Sequence, residues 1–553
     1  MGLKQGKLVW SLLGAAAAVG VWDKARARLR LSQAKHPSLA GHVRMAKRVA
    51  GLVPNYALGD NAFYNADGAP IQVTGRRRAG FQRLAKLYAE RFAKTRAYGD
   101  DIRDGIPDMQ FTGTYRVPFQ FSPIVREHLG AGGFYQSAEG VSVTDLDGNR
   151  FFDLTGSYGV NLLGVDVYRR MVAAGIKTTS DLGPTLAGLH PVVADNVRRL
   201  QAISGLDAVS FHMSGTEAVM QAVRLARYHT GRSHLVRFAG AYHGWWGDVQ
   251  PGIGNPVPAE NTYTLADMRD DTLKVLATRK NIACVLVNPL QAMHPNCGAP
   301  GDSTLVSGRK DGRVDRAAYS AWLARLAETC RAAGIVLIVD EVFTGFRLAP
   351  RGACEYFGIA PDMITYGKTL GGGLPVGVLC GKAALMKRYR DDRPADICFA
   401  RGTFNSHPYV MGAMDAFLRH MEGEEGRALY DEVDERWNIR AAGLNARLAA
   451  EDVPIRIANL GTIWTVWHTS ASRYHWMLQF YLRAEGLALS WVGSGRLIFS
   501  LAYEDREFAE VADRIVVAAR KMKSDGWWWS PSGDTRKALR KGLAREFVRN
   551  LLR

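Results

Sequence analysis

The stretch AVSFHMSGTEAVMQAVRLARYHTG, Ala208–Gly231, decides the fold class that this sequence predicts. Its first five residues form a short apolar and β-branched run, which indicates a strand, and the amphipathic stretch that follows has the spacing of a helix. Further strands are predicted at LVRFA (235–239), IACVLV (282–287) and IVLIVD (335–340), with helical segments between them. Such alternation implies a mainly parallel sheet covered by helices on both faces, so the predicted fold class is α/β.

Changes in charge and in the pattern of apolar residues divide the 553 residues into five parts. The segment GVSVTDLDGNRFFDL (140–154) predicts a β-hairpin that turns at Asp147–Asn149, and FQRLAKLYAERFAKTRAY (81–98) predicts a helix. We expect one long helix over 415–448. The parts are a basic helical extension (1–110), a strand-and-turn region (111–180), the alternating region (181–410), a smaller mixed region (411–525) and a basic tail (526–553).

The net charge of +18 is concentrated at the two ends of the chain. Residues 1–50 carry ten Lys or Arg against the single acid Asp23, and residues 526–553 carry seven against two acids. The ends therefore hold 14 of the 18 positive charges, as two basic arms rather than a basic groove. Binding to nucleic acid is disfavoured because the aromatic residues of the tail do not interleave with its basic residues.

The first arm contains LVWSLLGAAAAVGVW (8–22), an uncharged apolar run that is short for a transmembrane helix. We expect a helix on an anionic membrane surface; a signal peptide, or a helix packed on the protein's own body or on a dimer partner, are the alternatives. The second arm has WWW at Trp527–Trp529 and apolar residues at every fourth position of a basic helix, as interfacial helices do. A helix that caps a dimer is the alternative there. These arms predict a cytoplasmic protein that is peripheral on the cytoplasmic face of the inner membrane.

The six cysteines are scattered without a CxxC pair. Their spacing argues against a zinc site and against a disulfide framework, so we expect no metal and a reducing compartment.

The segment MSGTEAV places Ser214, Gly215 and Thr216 where a predicted strand ends and a helix begins. Free N–H groups, two hydroxyls and the positive end of the helix dipole suit a phosphate group. Ser and Thr at this position also act as ordinary helix caps, which is the simpler interpretation of the motif alone.

Two further strand ends carry polar or aromatic residues. Asp340 closes IVLIVD, where it could pair with an arginine such as Arg347 or hold the protonated ring nitrogen of a heteroaromatic cofactor. Tyr242 and His243 follow LVRFA, and an aromatic residue there could lie flat on a planar ring or simply belong to the core. Ligands bind at the carboxyl ends of the strands in such sheets.

Lys368 stands before three glycines in DMITYGKTLGGGLPVG (362–377). A buried lysine with a lowered pKa is suited to forming a Schiff base with an aldehyde. A phosphate site, a carboxylate for a ring nitrogen, an aromatic residue for a ring face and a lysine for an aldehyde together predict pyridoxal 5'-phosphate as the cofactor.

The motifs SFHMSGTEAVMQAVRLARYHTGR, FAGAYHGWWGD, LIVDEVFTGFR, PDMITYGKTLGGGLPVG and ARGTFNSHP resemble class III pyridoxal-phosphate aminotransferases of fold type I. The chain is most similar to their glutamate-1-semialdehyde aminomutase branch, and also to the aminotransferase modules of polyketide and nonribosomal peptide assembly lines. The resemblance covers about residues 113–525. It implies a large cofactor-binding domain (181–410) and a smaller α+β domain built from 111–180 and 411–525.

The resemblance also implies roles for individual residues. Lys368 would hold the cofactor as a Schiff base and shuttle the proton, and Asp340 would pair with the ring nitrogen. Tyr242, with His243 beside it, and Val342 would lie on opposite faces of the ring. Ser214, Gly215 and Thr216 would bind the phosphate, and Thr403 would reach the phosphate of a neighbouring subunit. That arrangement implies a homodimer with shared active sites.

The sequence departs from the family pattern on the substrate side. Asn288-Pro289 stands where many relatives have Glu-Pro, and His407-Pro408 replaces Asn-Pro. The segment LGPTLAGLHPVVADN lacks the acidic pattern expected of a true aminomutase. Arg347 and Arg401 could each bind a carboxylate or pair with an internal acid.

The favoured interpretation is an aminotransferase that moves an amino group from an amino acid donor to a ketone or aldehyde, such as an acyl-chain or polyketide-type carbonyl. A glutamate-1-semialdehyde-type 2,1-aminomutase is the alternative. Another fold-type-I activity such as decarboxylation, and a cofactor-binding scaffold without turnover, are the remaining ones.

Overall fold

The computed structural model describes residues 19, 21–37, 39–115, 117–130, 133–250, 254–255, 257, 259–294, 314–490, 493–530 and 535–552. Its strands are Tyr135–Glu139 (β1), Ser142–Asp145 (β2), Arg150–Asp153 (β3), Ala208–His212 (β4), His234–Phe238 (β5), Thr262–Leu265 (β6), Ile282–Val287 (β7), Val336–Asp340 (β8), Met363–Gly367 (β9), Gly377–Gly381 (β10), Ile455–Leu460 (β11), Ile463–His468 (β12), Leu487–Ala488 (β13) and Leu497–Ile498 (β14).

The α-helices run through the whole described chain. They are 21–34 (α1), Val43–Gly51 (α2), Asp60–Tyr64 (α3), Ile71–Arg91 (α4), Ala93–Ile102 (α5), Pro107–Tyr115 (α6), Ser122–His128 (α7), Val165–Thr178 (α8), Val192–Ser204 (α9), Gly215–Thr230 (α10), Asp270–Thr278 (α11), Arg316–Ala333 (α12), Ala353–Phe357 (α13), Ala383–Met386 (α14), Pro408–Glu422 (α15), Glu424–Ala428 (α16), Val433–Ala450 (α17), Leu478–Ala484 (α18), Asp505–Ser524 (α19) and Thr535–Leu551 (α20).

A seven-stranded sheet in the order β4-β10-β9-β8-β7-β5-β6 forms the centre of the molecule. Neighbouring strands from β9 to β6 pair in parallel, and β10 pairs antiparallel with both β4 and β9. Six strands therefore point the same way and only β10 runs against them. This confirms the predicted α/β fold with a mainly parallel sheet.

Both faces of this sheet are buried, which explains why its middle strands are apolar without alternation. Val285 and Leu337 of β7 and β8 pack on one face with Trp322 of α12. Their neighbours Leu286 and Ile338 pack on the opposite face with helix α10. Every residue of β7 and of β8 is buried, including the terminal Asp340.

Two smaller sheets form from the regions on either side of the large sheet. The predicted hairpin is confirmed, since β2 and β3 pair antiparallel in the four-stranded sheet β1-β2-β3-β13. Strand β13 comes from the C-terminal region and pairs in parallel with β3. A three-stranded sheet, β11-β12-β14, completes the C-terminal region.

The single helix predicted over 415–448 is wrong, because the structure has three helices there, α15, α16 and α17. Gly423 has an extended conformation (φ −70°, ψ 170°) that ends α15, and Glu432 has a positive φ of 52° that precedes α17. The apolar spacing continues through both breaks, so the periodicity alone hides them. The helix predicted over 81–98 is present as α4 and α5, with a break at Phe92.

The C-terminal tail packs on the body of the protein, which contradicts the prediction of an interfacial helix anchored by its indoles. Trp527 and Trp528 are buried, as is Leu539 of α20. Phe547 of α20 lies 6.1 Å from the ring of Tyr56, measured between ring centroids. The apolar face of the tail is therefore covered by the N-terminal region of the same chain.

Most of the apolar run over 8–22 lies outside the described residues; its last two residues, Val21 and Trp22, begin helix α1 and are exposed. Among the helices that the structure describes, none is long and apolar enough to span a membrane. The five cysteines in the described ranges are buried and free, as expected for a chain without a disulfide framework.

Candidate active site

The candidate site lies at the carboxyl edge of the parallel strands and is formed by the residues and loops that follow them. Asp340 ends β8, Lys368 follows β9 directly, and Ser214 follows β4 after one residue. Tyr242 and His243 follow β5. Because these strands share one direction, the sheet brings to one edge residues that are up to 154 positions apart in the sequence.

Lys368 is the first residue after β9 and has a left-handed backbone conformation, with φ 49°. Such a conformation is costly for a residue with a Cβ and persists where the surroundings impose it. Burial lowers the pKa of Lys368 to about 8, and the charges of Arg347 and Arg496 act in the same direction, against Asp340. About a tenth of such an amine is neutral and nucleophilic at pH 7, far more than for a lysine with the ordinary pKa of 10.5.

Two glycines of the run that follows Lys368 have positive φ angles, 59° at Gly372 and 102° at Gly373. A Cβ added at Gly372 would lie 2.8 Å from the main-chain carbonyl carbon of Ala413. The glycine run thus lets the loop after Lys368 pack against helix α15.

Asp340 is buried and accepts three hydrogen bonds. His243 Nδ1 lies 2.8 Å from Oδ2, and Thr365 Oγ1 and the main-chain N–H of Val342 each lie 3.1 Å from Oδ1. Burial lowers the pKa of His243 and outweighs the charge of Asp340, so the neutral imidazole donates its Nδ1 proton to the carboxylate. A carboxylate offers about four acceptor positions, which leaves room for one more donor.

The alternative partner considered for Asp340, Arg347, is not its partner. Arg347 is buried and donates hydrogen bonds to Thr462 Oγ1 (2.9 Å) and to the carbonyl oxygen of Phe499 (2.8 Å), with longer contacts to main-chain carbonyls of the 159–161 loop. Its donors are therefore used to hold the small and large regions together rather than to bind an acid. The other candidate arginine, Arg401, is exposed.

Helix α10 begins at the motif that suggested a phosphate site. Ser214 is its N-cap, and its Oγ accepts a hydrogen bond of 3.2 Å from the N–H of Glu217. Helix geometry leaves the N–H groups of Gly215 and Thr216 without partners inside the helix. The residues thus act as a helix cap and also present, among the described residues, two N–H groups without a bonded acceptor at the positive end of the helix dipole.

Glycines bring the neighbouring loops close to the start of α10. A Cβ added at Gly244 would lie 2.9 Å from the Cβ of Thr216, so the loop after His243 touches the helix start. A Cβ at Gly215 would lie 2.5 Å from Cγ1 of Val342. Val342 is thereby held against the helix start, beside Asp340.

Tyr242 and Thr403 remain exposed in the single chain. The side chain of Tyr242 is 58% exposed, while its carbonyl oxygen accepts a 3.1 Å hydrogen bond from Nδ2 of Asn288. Thr403 lies in the segment before α15 and forms no hydrogen bond with any residue that the structure describes. The structure therefore brings together Lys368, Asp340, His243, Val342 and the start of α10, leaves the ring of Tyr242 open beside them, and does not join Thr403 to them.

Both sequence departures have a structural role. Asn288 follows β7, where its Oδ1 accepts from the N–H of Leu290 (3.1 Å) while its amide holds the Tyr242 loop. An amide can donate and accept at once, which a glutamate carboxylate cannot do. His407 is the N-cap of α15, and its Nδ1 accepts from the N–H of Tyr409 at 3.2 Å, the task that an asparagine would perform.

Three features near Lys368 were missed by the sequence interpretation. The ring of Phe343 lies 4.7 Å from Lys368 Nζ, and the loop Gly156–Gly159 reaches both residues, with Tyr158 at φ 58°. Arg496 is close enough to lower the pKa of Lys368, and burial lowers its own pKa to about 10. Within the described ranges it forms no hydrogen bond or ion pair, and its Nε is buried without a partner. Two features of the sequence could have indicated them: the GSYG run at Gly156–Gly159, and Arg496 inside an apolar β-segment.

The residues present fit pyridoxal 5'-phosphate. The start of α10 offers free N–H groups for a phosphate, the carboxylate of Asp340 has one acceptor position left, and Lys368 supplies an amine with a lowered pKa. A side chain at Gly215 would collide with Val342, so this glycine lets the helix start lie close to the residue beside Asp340. In the described ranges no group of three or more His, Cys, Asp or Glu could hold a metal ion.

Comparisons with known proteins identify the family. The family model "Aminotransferase class-III" matches residues 126–247 and 315–519, more than half of the chain. A glutamate-1-semialdehyde 2,1-aminomutase from Desulfotalea psychrophila is 32% identical over 376 residues, which cover 64% of this chain and 81% of that protein.

Solved structures share the fold. A glutamate-1-semialdehyde-aminomutase from Pseudomonas aeruginosa is similar at a TM-score of 0.64 and 20% identity, over 81% of this chain and 99% of that one. A β-phenylalanine aminotransferase from Variovorax paradoxus is similar at a TM-score of 0.57 and 25% identity, over 79% of this chain and 96% of that one. These likenesses identify the fold as that of fold type I transaminases.

Proposed function

Because the chain belongs to the class III aminotransferases, which are pyridoxal-phosphate-dependent transaminases, we propose that it moves an amino group from an amino acid to a ketone or aldehyde acceptor. The donor leaves as its oxo acid and the acceptor leaves as an amine, in two half-reactions on one site. The observation that carries the choice of donor is Arg496, a buried arginine whose charge lowers the pKa of Lys368 and which forms no hydrogen bond or ion pair with the described residues. A carboxylate is the group that such an arginine binds best.

The residues of the site would divide the chemistry between them. Bound pyridoxal phosphate supplies an aldehyde that takes up the amino group and a ring that accepts electrons. Lys368, whose Nζ is neutral in part near neutral pH, takes a proton from the substrate carbon and returns it. Asp340, fixed by His243 and Thr365, keeps a ring nitrogen protonated, and the N–H groups at the start of α10 hold the phosphate.

A donor screen tests this proposal directly. The purified protein loaded with pyridoxal phosphate is mixed with single amino acids while the visible absorption band of the lysine-bound cofactor is followed. We expect at least one amino acid to abolish the band and a ketone or aldehyde acceptor to restore it. Lys368→Ala is the control that should show neither change. If no amino acid abolishes the band of the intact protein, the aminotransferase proposal is wrong.

We also propose a chemical class for the second substrate, the carbonyl compound that accepts the amino group. An acyl-chain or polyketide-type carbonyl is supported by the similarity of the ARGTFNSHP segment to assembly-line aminotransferases. Short- and long-chain aldehydes and β-keto thioesters, offered to the aminated cofactor, test it. Restoration of the band by small oxo acids alone would exclude this class of acceptor.

A homodimer is the expected assembly. The segment around Thr403 presents Phe399, 70% exposed, and Phe404, 51% exposed, and Trp245 in the loop after β5 is 77% exposed. Large aromatic residues exposed on one chain are typical of protein–protein interfaces. Light scattering of the loaded protein, compared with a Phe399→Asp variant, should give a dimer that the variant weakens.

A 2,1-aminomutase remains the second candidate, because curated relatives at about 30% identity carry that name. A mutase turns over a single amino compound without a separate acceptor. Nuclear magnetic resonance of glutamate-1-semialdehyde incubated with the loaded protein alone distinguishes the two, because the isomers have the same mass but different spectra. Isomerisation without an added oxo acid, absent in a protein-free control, supports the mutase.

A further inference from the structure

Helix α2 shows its large apolar side chains to solvent and its small ones to the protein. Met45 and Val49 are exposed, as are Leu52 and Val53 just after the helix, while Ala46 is buried against the body. Positions 45, 49, 52 and 53 have the spacing that places side chains on one helical face. A helix of a soluble domain normally packs such a face against the core. This stripe does not pack on the core of this chain, which indicates a contact outside it.

The end of helix α20 presents a second exposed apolar stripe. Val548 is 56% exposed, Leu551 53% and Leu552 81%, although the preceding turn of the same helix packs on the body through Phe547. The apolar face expected from the sequence is thus occupied, and a different set of residues remains open.

Tyr56 links the chain just after the first stripe to the helix that carries the second stripe. Tyr56 donates a 2.6 Å hydrogen bond to Glu546 Oε1 and stacks edge-on against Phe547, so it is fixed to α20. Only two residues separate Val53 from Tyr56, and three steps of extended chain span at most about 10 Å. We define the apolar docking face as Met45, Val49, Leu52, Val53, Val548, Leu551 and Leu552.

Exposed arginines of both helices flank the apolar docking face. Arg44 and Arg48 of α2 are exposed, as are Arg545 and Arg549 of α20. None of them forms an ion pair with a residue in the described ranges. The described residues 39–59 contain no acid, and the sole acid of α20, Glu546, is already bonded to Arg473 and Tyr56.

We propose that the apolar docking face and its rim of arginines bind an anionic lipid surface. Exposed aliphatic side chains that enter the boundary between headgroups and acyl chains, ringed by arginines that meet anionic headgroups, are the composition of interfacial membrane sites. The lipid contact proposed here is made by this exposed face and not by the indoles of Trp527 and Trp528, which are buried. It is independent of the reaction that the active site catalyses.

Vesicle flotation of the full-length loaded protein tests the proposal. We expect flotation with vesicles of phosphatidylcholine and phosphatidylglycerol, and little with phosphatidylcholine alone. Met45→Asp with Leu52→Asp should lower the bound fraction about tenfold, and Arg44→Gln with Arg48→Gln should lower it by a similar factor and weaken its dependence on salt.

Matched variants keep the test specific. Ile439→Asp changes an exposed apolar residue of α17, and Arg331→Gln with Lys280→Gln removes two exposed charges elsewhere; neither should change flotation. All variants should retain the melting temperature of the parent, since the changed side chains are exposed.

Other occupants of the apolar docking face would give different results. If the Asp variants dissociate an oligomer seen by light scattering but float unchanged, the face contacts a second copy. If flotation persists in every variant and is lost only on deletion of residues 1–18, the N-terminal run binds the lipid. Either outcome, or equal flotation with neutral vesicles, overturns the proposal.

Discussion

At the scale of single residues, the site combines a strained backbone with a tuned amine. Lys368 has a positive φ and a pKa of about 8, because burial and two arginines act against the charge of Asp340. The residue type and its position after a strand were predictable from the sequence. The lowered pKa was predictable only in direction, since Arg496 approaches Lys368 from a segment 128 positions later.

The pKa of Lys368 sets the pH dependence of cofactor loading. Condensation with an aldehyde needs the neutral amine, so the loading rate of cofactor-free protein should rise with pH and level off above a midpoint of about 8. Stopped-flow absorbance at a series of pH values measures this midpoint. A midpoint near the ordinary lysine value of 10.5 would show that the amine is not tuned by burial.

Arg496 gives a prediction about the substrate carboxylate. In Arg496→Gln, kcat/KM for amino acid donors should fall about 100-fold, or about 3 kcal/mol, because a buried charge pair is lost. Amines without a carboxylate should react at nearly the same rate as before. Arg401→Gln is the control, since that side chain is exposed. Equal losses for both kinds of donor would mean that Arg496 positions Lys368 rather than the substrate.

At the scale of elements, strand positions followed from composition and helix breaks did not. Strands β7 and β8 lie where the apolar runs predicted them, because a strand buried on both faces is a nearly continuous apolar run. The helix breaks at Gly423 and Glu432 leave the apolar period intact, so no local signal distinguishes them. The short antiparallel strand β10 was also not predicted, since its glycine-rich sequence follows the Lys368 loop.

The buried guanidinium of Arg77 in helix α4 forms an ion pair with the loop before the helix and also contacts the C-terminal region. Arg77 contacts both carboxylate oxygens of Asp67, at 2.7 and 2.8 Å, and donates to the carbonyl oxygen of Gly526 at 2.9 Å. Its guanidinium also lies 4.4 Å from the ring centroid of Tyr474. The extension is thereby part of the folded body and not an appended arm.

Removal of one partner of that ion pair should destabilise the protein strongly. Arg77→Ala leaves the carboxylate of Asp67 buried without a cation, and we expect a loss of about 3–5 kcal/mol in the free energy of unfolding. The exposed pair of Arg78 and Asp60 is the matched control, for which Arg78→Ala should cost about 0–1 kcal/mol. Chemical denaturation measures both. A small loss for Arg77→Ala would mean that water reaches Asp67.

At the scale of the whole molecule, the positive charge of the two ends was predictable from the sequence. The surfaces that these ends contact were not. The sequence shows that Leu539 and Phe547 share a face of α20, and composition suggested that a membrane covers it. The structure places the N-terminal region there instead, through Tyr56 and Phe119. Which surface covers an amphipathic helix depends on partners distant in sequence, and no local pattern encodes them.

Glu546 holds the two ends of the chain together and should make their attachment sensitive to pH. Burial would raise the pKa of Glu546, but hydrogen bonds from Arg473 and Tyr56 outweigh burial and hold it below its usual value. A carboxyl group with a lowered pKa stabilises the fold fully above its unfolded value of about 4.3, and that contribution disappears as the pH falls through the folded value.

The variant Glu546→Gln should therefore unfold more easily than the parent by about 1–3 kcal/mol near neutral pH, because the buried guanidinium of Arg473 loses its carboxylate. The difference should shrink below about pH 4. Urea unfolding at several pH values measures it, with the exposed Glu510→Gln as control. A difference that stays constant into acid would contradict the role of this carboxylate.

The pairing of β13 with β3 has a consequence for how the chain folds as it is made. Phe152 donates its N–H to the carbonyl oxygen of Gly486 at 3.0 Å, although more than 300 residues separate them. Translation at about 5–20 residues per second leaves β3 without this neighbour for roughly 15–70 seconds. The edge of β3 that later pairs with β13 lacks its neighbour throughout that interval. A ribosome-bound fragment that ends before residue 486 is therefore expected to recruit chaperones, and one that includes α19 is expected to release them.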